Sequence, residues 1–134
     1  MKVVIDTNIF ISALSRFSKD HWVVEAMVDE KFDLIVSNDI FLEYEEKLLE
    51  RYNPSTVYFF LKILEKSPNV HFTNVFYQWR LLNDPDDNKF ADAAFASGAE
   101  HIISEDKGFR RLRELDFPKI SVLTLEGFHD LLVR

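Results

Sequence analysis

Four carboxylates stand out by where they fall. Asp6 ends the apolar run VVI near the start of the chain, and Glu43 lies in SNDIFLEYEEKL. Asp87 lies in NDPDDNKF, and Asp106 comes just after HIIS. Brought together, four such groups would repel and raise one another's pKa unless a positive charge sat among them. A hard divalent cation with oxygen ligands meets that need, and magnesium or manganese suits carboxylate and water. Such an ion activates water and stabilises charge on a phosphoryl transition state. No side chain is an obvious general base, so water activated by the ion is the expected nucleophile.

The elements that must position these acids alternate. Val3-Val4-Ile5 is β-branched and reads as a short buried strand leading directly to Asp6. A helix follows through Phe10–Leu14, and Trp22, Val23, Ala26 and Met27 share a helical face. Asp33–Val36 is a second strand. Ser37-Asn38-Asp39 caps a helix from Ile40 to about Arg51, which carries Glu43. Pro54 opens another helix, with Val57, Phe60, Leu61 and Leu64 on one side, and Val70-His71-Phe72 is a third strand.

The strongest helix start is Asn83-Asp84-Pro85-Asp86-Asp87-Asn88. Asp84 suits the N-cap, Pro85 the first helical position, and the acids the positive helix end. Gly98 stops that helix. His101–Ser104 is a fourth strand, Lys107–Glu114 a helix, Ile120–Leu123 a fifth strand and Leu125–Leu132 a last helix. Short apolar strands alternating with helices predict a three-layer α/β/α architecture around a mostly parallel sheet of about five strands. In such sheets ligands bind beyond the carboxyl ends of the strands. If the first and fourth strands adjoin there, the four acids converge.

Composition narrows the classes. The 134 residues fit one domain spanning 1–134, and an apolar share of 47% speaks against disorder. The absence of cysteine excludes disulfides and thiolate zinc sites. No run approaches the roughly 20 apolar residues of a membrane helix, and the opening run is too short for a signal peptide. A cytoplasmic location is therefore expected. The net charge of −7 argues against nucleic-acid binding by overall charge, leaving a local basic patch or acids around a cation.

The segments VVIDTNIFISAL, SNDIFLEYEEKL and DPDDNKFADAAFASGAEHIISEDKGF, in that order and spacing, resemble the PIN-domain nucleases, the family of the VapC-like toxins of toxin–antitoxin modules. The resemblance implies a metal-dependent ribonuclease using magnesium or manganese, with an antitoxin protein as partner. Carried over residue by residue, it assigns catalysis and metal binding to Asp6, Glu43, Asp87 and Asp106. Asn8 and Ser104 match the small polar residues that support the first and last acids and face the substrate. In the middle segment Glu43 is favoured over Glu45 and Glu46 because the family acid precedes an aromatic, here Tyr44. Asp84, Asp86 and Asp92 compete with Asp87. Asp92 lies about 140° round the helix from Asp87, so the two should not meet one ion.

Lys107, Arg110, Arg111 and Arg113 form the densest basic cluster, directly after Asp106. They fit either a solvated helix face or base-independent contact with RNA phosphates. The histidines lack metal-site spacing, and Trp79 and Tyr77 fit a core or an interface equally. Tyr58, Phe59 and Phe60 cannot all face one core from a helix, which predicts an exposed aromatic and a homodimer. Two other readings keep the fold. One is a non-catalytic nucleic-acid- or protein-binding domain. The other is a phosphatase-type hydrolase using Asp6 as nucleophile, although Asn8 stands where a DxD pair needs its second aspartate.

Overall fold

Val3, Val4 and Ile5 are fully buried, as a β-branched strand covered on both faces should be. The computed structural model of the chain, which describes residues 1–134, extends this strand over Lys2–Ile5 as β1. Parallel to it run β2 (Asp33–Val36), β3 (Val70–Phe72), β4 (His101–Ile103) and β5 (Ser121–Leu123). They form one sheet in the order β3-β2-β1-β4-β5. The chain builds outward from β1 on one side, then returns and builds outward on the other. β1 and β4 thus meet at the point where the strand order reverses, where open parallel sheets place their ligands.

The helices are α1 (Thr7–Ala13), α2 (Trp22–Val28), α3 (Asn38–Leu49), α4 (Pro54–Lys66), α5 (Pro85–Ser97) and α6 (Leu125–Leu132). With right-handed crossovers, the reversal puts α1 to α4 on one face and α5 on the other. The ring of Phe10 packs at 5.1 Å from those of Tyr44 and Phe60, joining α1, α3 and α4. Phe128 of α6 lies 5.1 Å from Phe32 and 5.9 Å from Trp22 of α2. On the other face α5 lies across β1, β2 and β4, and its Phe90 meets Phe109 at 6.1 Å.

The local signals explain the boundaries. Ser37 caps α3 by accepting from the Ile40 amide, and Asn53 and Thr124 cap α4 and α6 in the same way. Asp84 caps α5 with Pro85 at its first position, and Gly98 ends it at φ 69°. One element differs from expectation in kind: Lys107–Glu114 is a 3-10 helix. Its buried residues, Phe109 and Leu112, stand three apart, which a three-residue turn stacks on one side. In α4, Phe60 is buried while Tyr58 and Phe59 are exposed. No helix is long and apolar enough to cross a membrane.

Candidate functional site

Ile5 of β1 is in register with Ile103 of β4, so Asp6 and Ser104 leave the sheet side by side. The Asp6 amide donates to the Ile103 carbonyl at 3.0 Å. The Ser104 hydroxyl donates to Asp6 Oδ2 at 2.8 Å and accepts the Asp106 amide at 3.0 Å. Ser104 is thus buried between two of the acids and turns its hydrogen bonds toward them. Asp6 occupies the N-cap position of α1 without a capping hydrogen bond from its side chain. Its carboxylate faces the site instead.

Glu43 arrives from α3. The adjacent Tyr44 is fully buried and donates its hydroxyl to the Ile5 carbonyl at 2.5 Å, clamping α3 onto the end of β1. Burial, with the charges of Asp6 and Glu43 nearby, holds the Tyr44 phenol well above its usual pKa, so it remains a donor. One Glu43 oxygen accepts from the Thr7 hydroxyl. The other lies 2.8 Å from the Lys89 ammonium of α5.

Asp87 and Asp106 approach each other around Gly108. A Cβ on that glycine would lie 3.2 Å from Asp87 Oδ2 and 3.3 Å from Asp106 Oδ1. Asp106 caps the 3-10 helix, accepting the Gly108 amide at 2.8 Å. Asp87 is half-buried, and desolvation raises its pKa to about 7, with Asp84, Asp106, Asp6 and Glu43 adding repulsion. Desolvation likewise raises Asp6 to about 6; the Ser104 hydrogen bond pulls it back, while Asp106 and Glu43 push it up. All four sequence-assigned acids therefore share one electrostatic neighbourhood at the carboxyl ends of β1 and β4.

The donor set fits a hard divalent cation: oxygen ligands only, with an excess of negative charge. Gly108 leaves open the space beside Asp87 and Asp106 that any side chain would enter. No three side chains converge tightly enough to enclose an ion as they stand, and Glu43 is held aside by Thr7 and Lys89. The acids form an open cluster.

The other assigned residues fall around this cluster. Asn8 is exposed beside Asp6. Lys107, Arg110 and Arg111 are exposed on the 3-10 helix and form no ion pair, whereas Arg113 donates to the Val122 carbonyl at 3.2 Å. Asp84 is occupied with the Asp86 amide, and Asp86 is exposed. Asp92 is buried away from the cluster, and desolvation raises its pKa. Sequence reasoning passed over Thr7, Lys89 and Gly108. Their adjacency to Asp6, Asp87 and Asp106 was the available signal.

Residues 2–108 match the family described as PIN domain. No curated protein matches the sequence. Among solved structures, the chain is similar to VapBC2 from Rickettsia felis bound to a DNA fragment from their promoter. The TM-score is 0.64 and the identity 15%, over 92% of this chain and 98% of that one. It is also similar to the T. brucei RRP44 PIN domain, with a TM-score of 0.52 and 16% identity over 98% of this chain and 78% of that one. At such identities the structural likeness is one of fold. The family match spans all four acids and every element from β1 to the start of the 3-10 helix, and the chain belongs to the PIN domain family, a family of nucleases.

Proposed function

We propose that the protein is a divalent-metal-dependent ribonuclease that hydrolyses phosphodiester bonds, one catalytic domain spanning residues 1–134. The observation that carries this reading is the gathering of acids at one sheet end: Asp87 and Asp106 flank the gap at Gly108, Ser104 joins Asp6 to Asp106, and Asp6 and Asp87 are driven toward neutral pKa values. Asp6, Asp87 and Asp106, with Glu43 behind them, would hold magnesium or manganese. When bound, such an ion supplies activation of water and stabilisation of developing phosphoryl charge. Ser104 orients Asp6 and Asp106 through its two hydrogen bonds. Lys107, Arg110 and Arg111 grip RNA phosphates beside the site, and Asn8 stands at its rim. The likeness to VapBC2 supports a toxin role with an antitoxin partner, in the cytoplasm, and exposed Tyr58 and Phe59 support a homodimer.

The test is Asp6→Asn, which keeps the side-chain size and a partner for Ser104 while removing a charge. Cleavage of single-stranded RNA should fall to background, with the fold intact by circular dichroism, and magnesium should raise the melting temperature less than in the parent. Glu50→Gln, on the exposed end of α3, should leave cleavage unchanged. Full activity in Asp6→Asn, or cleavage by the parent in excess EDTA, overturns the reading.

A further inference from the structure

A second cavity, of about 480 Å³, opens beside the acid cluster. Its walls include Ser37, Asp39, Gln78, Arg80, Lys89 and Asp92. Asp39 and Lys89 also line the neighbouring cleft that contains Glu43, so the cavity and the acid cluster share a wall. One side is built by the irregular segment 73–84, which α5 holds at two points. The Trp79 amide donates to Asp92 Oδ1 at 3.0 Å. The Asn88 side chain accepts the Leu82 amide at 2.8 Å and donates to the Leu82 carbonyl at 3.3 Å. Between these anchors Arg80 adopts φ 55°, a left-handed backbone that costs energy for any residue with a side chain.

The charges lining this cavity are unusual. Asp92 is only 6% exposed, yet no cation pairs with it. Arg80 lines the same space and likewise pairs with no acid. A buried carboxylate without a cationic partner is relieved by hydrogen-bond donors or by taking up a proton; the Trp79 amide supplies one donor to Asp92 Oδ1, and Oδ2 has none. The wall therefore offers a carboxylate acceptor and a guanidinium donor, unpaired with each other, in one cavity with ample room for a base. Guanine alone among the RNA bases presents two adjacent donors, N1–H and N2–H, together with an O6/N7 acceptor edge that suits arginine. Adenine, cytosine and uracil each break the donor pair with an acceptor.

We propose that this cavity is a guanine-reading subsite. An unstacked base of single-stranded RNA enters it, donates its N1–H and N2–H to Asp92 and accepts from Arg80 at O6 and N7. The left-handed turn at Arg80 holds that side chain on the cavity wall. Lys89 stands on the wall between the base and the backbone crossing the acid cluster. This inference rests on the ribonuclease reading and adds to it the identity of one base.

Binding can be separated from cleavage by using Asp6→Asn with magnesium at low salt. The probes are fluorescent oligouridines carrying one central guanosine, inosine or adenosine. Inosine lacks only the N2 amino group, so it should bind roughly tenfold more weakly than guanosine, and adenosine more weakly again. Adding Asp92→Asn, which keeps an acceptor for the Trp79 amide, should erase the preference while plain oligouridine binds as before. Arg80→Gly, an exposed change that removes the guanidinium and relieves the left-handed backbone, should do the same and guards against misfolding at Asp92. Equal binding of the three probes overturns the subsite, even where the parent still cleaves RNA with magnesium and the nuclease reading stands. Probes that neither bind nor are cleaved by the parent overturn both. Guanosine monophosphate competing as strongly as the guanosine oligonucleotide reassigns the cavity to a free nucleotide and overturns the RNA proposal.

Discussion

Lys89 and Glu43, one from α5 and one from α3, form an ion pair of 2.8 Å across the mouth of the acid cluster. Their side chains are 22% and 13% exposed, which places the pair between surface and interior. The lysine supplies the one positive charge in contact with any of the four acids. Lys89→Met should therefore lower stability in EDTA by about 1 kcal/mol, a value kept small because solvent screens the pair. Magnesium should restore most of the loss. Thermal melts with and without the ion measure this, and equal losses under both conditions would make Lys89 a packing residue only.

The pH dependence follows from Asp6 and Asp87, whose pKa values rise from an ordinary 3.8 to about 6 and about 7. Between the two limits the folded chain binds more protons than the unfolded one, so stability from these groups is fullest at low pH. It is lost as pH rises through about 6 and 7. An ion that binds the charged forms reverses that loss. The melting shift caused by magnesium should be larger at alkaline pH than at mildly acidic pH. A shift that shrinks as pH rises would contradict this.

Gly108→Ala tests the open space directly. Its Cβ would press on Asp87 and Asp106 at 3.2 and 3.3 Å, and both carboxylates can turn aside. The fold should persist, while magnesium affinity, followed by the melting shift, falls roughly tenfold. Unchanged affinity would show that the space between these carboxylates is not used.

The basic 3-10 helix makes a prediction about salt. Removing Lys107, Arg110 and Arg111 together should weaken RNA binding for all sequences alike. It should also flatten the salt dependence by roughly one counterion per lost contact. An unchanged slope in the triple alanine variant would place these residues on an idle surface.

Tyr58 and Phe59 are 51% and 70% exposed on α4. If they seat a second copy, Phe59→Glu should convert a dimer to a monomer in sedimentation at tens of micromolar, a range set by weak interfaces of roughly 1,200 Å². A parent that is monomeric there removes the basis for a dimer.

β1, β2 and α5 are legible in the sequence because their signals are local. Val3-Val4-Ile5 and Leu34-Ile35-Val36 are short buried runs, and Asp84-Pro85 with Gly98 brackets a helix. The adjacency of β1 and β4 is legible through fold logic, since alternating elements imply a sheet with a reversal point. The Glu43–Lys89 pair is not, because the residues stand 46 apart and meet only after two helices pack against opposite sides of the sheet end. The strap at residues 73–84 is equally silent. Trp79 and Tyr77 pack their rings at 4.9 Å, with Phe95 and Phe117 around Trp79, a cluster between core and surface that periodicity cannot express. The left-handed Arg80 lacks the glycine or asparagine that usually announces such a turn.

The hydrogen bond between Ser104 and Asp6 spans 98 positions of the chain. β1 precedes its neighbour β4 by most of the described residues. A nascent fragment ending before residue 101 has one edge of β1 open and lacks both Ser104 and Asp106. Closing so long a loop is the slow, entropically costly step of such parallel topologies. The site therefore comes into being abruptly, when β4 docks beside β1.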